Sequence, residues 1–209
     1  MNSYIAEFNR LASAQEPSFA ERAKLFVPAS SIVVMDAEKA VSAIRGVLKS
    51  NFKDPDALIA RCFMLTTTAS KLLISMGMRH TVTIGDVLLD GKSYFRTSRE
   101  VIIQEMGVGY DEDKPARAHA WITLEDGTII DMSILPSAMR RLKRKKMKWI
   151  EAIYCSRKPT SLNVVHVPYL LGPEYIIRAA TMPTEAGFQE SFQWVASIDE
   201  LLAAERPME

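Results

Sequence analysis

The sequence predicts an α+β protein, on three observations. Up to Gly77 the apolar residues recur at helical spacing. After Gly77, β-branched stretches alternate with two Gly-containing turns. The composition, 48% hydrophobic and 24% charged, is that of a packed chain. That much apolar surface can offset the entropy of ordering, which excludes disorder over most of the length. Helices first and antiparallel strands after them is the α+β order. At 209 residues the chain is expected to form a single domain, with a helical N-terminal part over 1–50.

Each element has its own reason. In the first 28 residues Ile5, Phe8 and Leu11 share one helical face, and Phe19, Ala23 and Phe26 another, until Pro28 stops the pattern. Asp36 reads as an N-cap for a helix over 37–49, with Val41, Ile44 and Leu48 inward. Asp54-Pro55 reads as a cap followed by proline at the first helical position, opening the longest helix, to about Met76, with Gly77 as its stop. Thr81–Leu89 reads as a strand, Asp90-Gly91 as a tight turn and Ser93–Arg96 as the return strand. A short helix is expected over 100–106, a second hairpin over His119–Leu124 and Thr128–Met132, and a helix over Pro136–Met147. Beyond 160, strands are expected near 162–167 and 175–180 and a short helix near 198–204.

Composition also excludes function classes. No run reaches the ~18–20 apolar residues that span a bilayer. Glu7, Arg10 and Glu16 interrupt any signal-peptide core, so a cytoplasmic location is expected. Two cysteines, Cys62 and Cys155, are too few for a disulfide framework. No paired Cys or His spacing suggests a metal, and Gly107-x-Gly109 lacks the rest of a phosphate loop, so no cofactor is expected. The net charge of +1 gives no global attraction to nucleic acid. The charge is concentrated, however: Arg140, Arg141, Lys143, Arg144, Lys145, Lys146 and Lys148 fall in nine residues, and without them the chain is net acidic. Such a run is a solvated helix end, or a patch for an anionic partner such as nucleic acid.

The second hairpin carries a geometric argument. A two-residue loop at Glu125-Asp126-Gly127 would pair Ile122 with Asp131. A three-residue loop with Gly127 in a bulge would pair Ile122 with Ile130. Only the latter makes one face wholly apolar, with Ala120, Ile122, Leu124, Ile130 and Met132, so burial selects it. The opposite face then carries His119, Trp121, Thr123, Ile129 and Asp131, with an imidazole and a carboxylate diagonal to one another. A carboxylate accepting an imidazole N–H sets the tautomer and favours the charged ring.

Cys62 lies on the stripe Leu58, Cys62, Leu65, Ala69, Leu72, Met76, and by that alone reads as a core thiol. A reactive thiol needs help from a helix N-terminus or an imidazolium. If the helix starts at Pro55, Cys62 is two turns in and gains nothing from the dipole; if it starts nearer Ala60, the thiol meets unpaired N–H groups. Cys155 has no such context. His80 and His166 read as structural histidines in strands.

Together these residues resemble the transglutaminase-like superfamily. Cys62 is followed by an apolar helix, Gly77 fifteen residues on and Gly85 eight further. His119-Ala120-Trp121 then opens a strand, followed by a turn and Asp131-Met132-Ser133. The resemblance covers residues 55–136, and 137–209 would be an elaboration. It implies a papain-like core, a central helix packed on an antiparallel sheet. It also implies a catalytic triad of Cys62, His119 and Asp131 that forms a thioester with a protein, peptide or small amide. Trp121 would wall the acyl site, or be an ordinary strand aromatic. The chain departs from the family pattern at Ala60-Arg61, where small or polar residues usually precede the Cys, and at Met132, where Pro usually follows the Asp. The alternative is a non-catalytic member of the fold that binds an anionic partner through 140–148.

Overall fold

The computed structural model describes residues 2–14, 36–111, 113–114, 116–143, 147–180 and 184–204. The expected helical stretch around Phe19, Ala23 and Phe26 lies outside them. Helix α1 (Asn2–Ala14) buries Phe8 and Leu11 against Leu171. Helix α2 (Ala37–Asn51) begins as expected, with the Asp36 carboxylate accepting from Lys39 N at 3.0 Å. It buries Val41, Ile44 and Leu48.

The expected long helix from Pro55 is two elements. A 3₁₀ turn over Pro55–Leu58, capped by Asp54, ends at Ile59. Ala60 then takes φ +59°, and helix α3 (Cys62–Ser75) starts afresh. Its far end is as read: Gly77 at φ +64° donates to Ile74 O and Met78 N to Leu73 O, a Schellman closure. Leu65, Ala69 and Leu73 join the main core.

Among the described residues the sheet has six antiparallel strands. Strand β1 (His80–Leu89) is its centre, pairing along one edge with β6 (Val164–Leu171) and along the other with β3 (His119–Leu124). Strand β4 (Ile129–Asp131) pairs with β3, and β5 (Tyr154–Cys155) with β4. The return strand β2 is only Lys92–Ser93. It is shorter than expected because the buried Asp86 carboxylate takes the N–H of Phe95 and turns the chain away from the ladder.

The register of the second hairpin is the one burial selects: Ile122 faces Ile130, and Gly127 sits at φ +78°. Ala120, Ile122, Leu124, Ile130 and Met132 all enter the core cluster that contains α3. Each fully buried aliphatic side chain there is worth about 1.5–3 kcal/mol of transfer free energy.

Helix α4 (Arg99–Val108) is capped by Ser98. Helix α5 (Ile134–Arg141) stops well short of Met147, with Lys143 at φ +51°. Continuing it would stack Arg140 on Arg144 and Arg141 on Lys145 at i,i+4, where like charges repel. The expected strand over 175–180 is instead a π-helical segment (Ile176–Ala180), because Tyr175, Ile176 and Ala179 are buried at helical rather than alternating spacing. Helix α6 (Glu185–Ala204) closes the described chain and is longer than expected. Among the described residues no helix is long and apolar enough to cross a membrane.

Candidate functional site

The break at Ala60 determines what Cys62 meets. Ile59 and Ala60 turn the chain, Arg61 becomes the N-cap without a side-chain cap bond, and Cys62 is the first helical residue. Leu65 N donates to Arg61 O at 2.9 Å. The amides of Cys62, Phe63 and Met64 thus precede the first intrahelical donor, so the thiol stands where the helix dipole favours negative charge. Of the two residue positions weighed for the helix start, the structure takes the one nearer Ala60.

Alternation along β3 carries His119 to the face opposite the apolar one, and β4 delivers Asp131 beside it. His119 Nε2 donates to Asp131 Oδ2 at 2.6 Å. Asp131 Oδ1 accepts from Ser133 N and Ile134 N, both at 3.0 Å. The carboxylate therefore also caps α5, and this is how the chain fixes Asp131 with Met132, not Pro, after it. His119 and Asp131 are almost wholly buried, and Cys62, at 8% exposed, is the most accessible of the three.

Burial by itself would lower the pKa of His119, but the charge and hydrogen bond of Asp131 outweigh it, and Cys62 adds in the same direction. The ring is raised to about 10. Burial would likewise raise Asp131, yet the His119 charge leads the terms that hold it below the ordinary carboxylate range. Both directions favour the charged imidazolium–carboxylate form of the pair. Nδ1 is the nitrogen of His119 without a hydrogen bond, and the Cys62 thiol acts on the ring at a geometry short of a full one.

Aromatic rings hold the imidazole in place. Phe95 stacks on His119 at 4.6 Å and 12° between planes. The loop carrying Phe95 is pinned by Asp86, whose carboxylate takes Val87 N at 2.7 Å, Phe95 N at 3.0 Å, Thr97 N at 3.4 Å and the Ser93 hydroxyl. Trp121 lies 6.0 Å from His119, fully buried, with Nε1 donating to Tyr4 Oη at 2.9 Å. Tyr4 in turn bonds Thr123 at 2.6 Å. Trp121 is thus packed between α1 and the histidine, as a strand aromatic rather than an open wall. Near Cys62, Tyr175 donates to Glu105, and burial followed by that carboxylate raises its phenol pKa.

The structure also brings in a residue that sequence reasoning assigned elsewhere. His166 Nε2 donates to the same Asp131 oxygen at 2.9 Å. Its local setting, a Val-rich strand, carries no sign of this, because the contact depends on β6 pairing with β1. His80 is structural as read, between Ser70 Oγ at 2.7 Å and Met78 O at 2.8 Å. Cys155 is buried in β5. In the basic run, Arg140, Arg141, Lys143 and Lys148 are exposed, with Arg141 5.0 Å over the Tyr94 ring. Arg144, Lys145 and Lys146 lie outside the described residues.

The fold and site define an α+β protein in which a helix-initial cysteine approaches a buried His–Asp pair. No family model, curated protein or solved structure matches the chain.

Proposed function

We propose that the chain is a cysteine-dependent acyl-transfer or amide-hydrolysing enzyme with a papain-like, transglutaminase-like core. One observation carries this reading: Cys62 is the first residue of α3 and acts on the ring of His119, which Asp131 holds by a 2.6 Å hydrogen bond. In the proposed cycle the proton of the Cys62 thiol already resides on His119 Nδ1, and Sγ attacks the acyl carbon of a protein, peptide or small amide. The oxyanion that forms meets the Cys62 N–H at the helix start. His119 returns the proton to the leaving amine, and a thioester remains on Cys62. Water or a second amine then releases the acyl group. Asp131 stays ionised throughout and keeps Nε2–H of His119 engaged.

The test is the rate of Cys62 alkylation by iodoacetamide from pH 4 to 9 in a Cys155→Ser background. Labelling is expected to persist at pH 6 and to fall about tenfold there in His119→Ala, the change that one lost pH unit of thiolate stabilisation gives. A p-nitrophenyl acetate burst leaving an acetyl group on Cys62 by mass spectrometry completes it. Labelling that appears only above pH 8, or only after unfolding, refutes the reading.

The second reading is a binding protein using the exposed Arg140, Arg141, Lys143 and Lys148. It predicts affinity for an anionic partner that falls steeply with salt and is indifferent to Cys62→Ala.

A further inference from the structure

His166 is a buried titratable group that the cycle above leaves unused and that touches its carboxylate. Its Nε2 lies 2.9 Å from the Asp131 oxygen that also receives His119 Nε2 at 2.6 Å. The other oxygen is taken by Ser133 N and Ile134 N. Asp131 is thus held by four donors from three directions: β3, β6 and the start of α5. His166 is itself fixed, with Trp121 edge-on at 4.9 Å and Tyr154 tilted at 4.9 Å. Its side chain is fully buried.

Proton bookkeeping then determines the state of both rings. A single carboxylate oxygen accepts from both histidines, so each presents N–H at Nε2. His166 Nδ1 is buried with no hydrogen-bond partner among the described residues. His119 Nδ1 also lacks a full hydrogen bond, but the Cys62 thiol acts on that ring. A proton on His166 Nδ1 would place a second cation beside His119. Burial and the His119 charge both oppose that state. One ring is therefore charged and the other is the neutral Nε2–H tautomer.

We infer that His166 is a positioning residue: through its neutral Nε2–H it holds the Asp131 carboxylate on His119 and so keeps His119 Nδ1 directed at Cys62. This rests on the reading of Cys62, His119 and Asp131 as the reacting set. Without that donor, Asp131 Oδ2 can swing toward the space His166 leaves, and the imidazole loses its anchor.

Two measurements on the full chain test this. The first is ¹⁵N NMR of histidine-labelled wild type at pH 7. The expected result is His119 protonated on both nitrogens and His166 protonated on Nε2 alone. His166 protonated on Nδ1 alone, or on both nitrogens, overturns the inference, and this measurement needs no variant to fold. The second compares Cys62 alkylation at pH 6 in His166→Phe, which keeps a ring between Trp121 and Tyr154, and in His166→Gln, which restores an N–H near the Nε2 position. The Phe variant should label about tenfold or more slowly and the Gln variant should recover most of that loss, as expected when a displaced catalytic group is re-anchored. If both variants label at the wild-type rate while His119→Ala does not, the site is reactive and His166 has no positioning role. If His119→Ala also labels at the wild-type rate, the reading of the site itself fails, and this inference with it.

Discussion

Gly85 is the position where a single methyl group tests the fold and the site together. It pairs with His119 on one edge of β1 and with Pro168 on the other, at an irregularity in the β1–β6 ladder. A Cβ there would lie 2.0 Å from the carbonyl oxygen of Val167 and 2.8 Å from Cη2 of Trp121. The first contact is more than an ångström too short, and its partner is backbone, which cannot rotate away. Overpacking a core costs about 1–3 kcal/mol, and a clash with a ladder carbonyl belongs at the upper end, near 3 kcal/mol. For a chain of this size each kcal/mol moves the melting temperature by about 2–4 °C, so Gly85→Ala should melt roughly 6–12 °C below wild type. Calorimetry of the purified full chain measures this. Gly46→Ala is the matched control: it lies inside α2 with nothing within 4 Å of the added methyl. There the substitution should stabilise by roughly 0.5–1 kcal/mol, because alanine loses less backbone freedom than glycine on entering a helix. A Gly85→Ala protein that melts within about 2 °C of wild type, less than 1 kcal/mol, would show that β6 does not approach β1 as described.

Two further outcomes follow from buried polar groups. His80 is buried and its pKa is depressed by that burial to about 4, against an unfolded value near 6.5. Between these values the unfolded chain binds the proton first, so the stability His80 contributes is fully present above about pH 6.5 and is lost as pH falls toward 4. At about 1.4 kcal/mol per pH unit the loss is about 3 kcal/mol, visible as a steeper fall in urea-unfolding free energy for wild type than for His80→Gln. Asp86→Ala leaves the N–H groups of Val87, Phe95 and Thr97 without their acceptor. It should cost about 2–4 kcal/mol and speed amide exchange over 93–97 while β3 stays protected, since a buried unsatisfied donor costs about 1–3 kcal/mol. Unchanged exchange in that loop would mean that Asp86 does not hold Phe95 over His119.

The His–Asp half of the site was legible in the sequence because it depends on two short-range regularities. Alternation in a strand places His119 and Trp121 on one face, and the burial of Ala120, Ile122, Leu124, Ile130 and Met132 on the other selects the hairpin register. The cap at Asp36 and the closure at Gly77 are equally local, since each satisfies backbone groups within one turn. The shortened α5 and the helical 176–180, expected as a strand, were not legible, because a pattern of apolar residues does not say where a helix must stop, and a short apolar run does not by itself separate strand from helix.

What the sequence determined by itself, then, is the α+β order, the hairpin register and the pairing of an imidazole with a carboxylate. Tertiary structure alone decided that Cys62 begins a helix. Ala60 at φ +59° has no local signature; an alanine there reads as helix, and that conformation costs an L-residue about 1–2 kcal/mol. Leu58, on the preceding turn, and Leu65, on the following helix, are both buried in the main core and hold the break on either side. The meeting of His166 with Asp131 is likewise tertiary: thirty-five residues separate them, and only the pairing of β6 with β1 brings the second imidazole to the carboxylate.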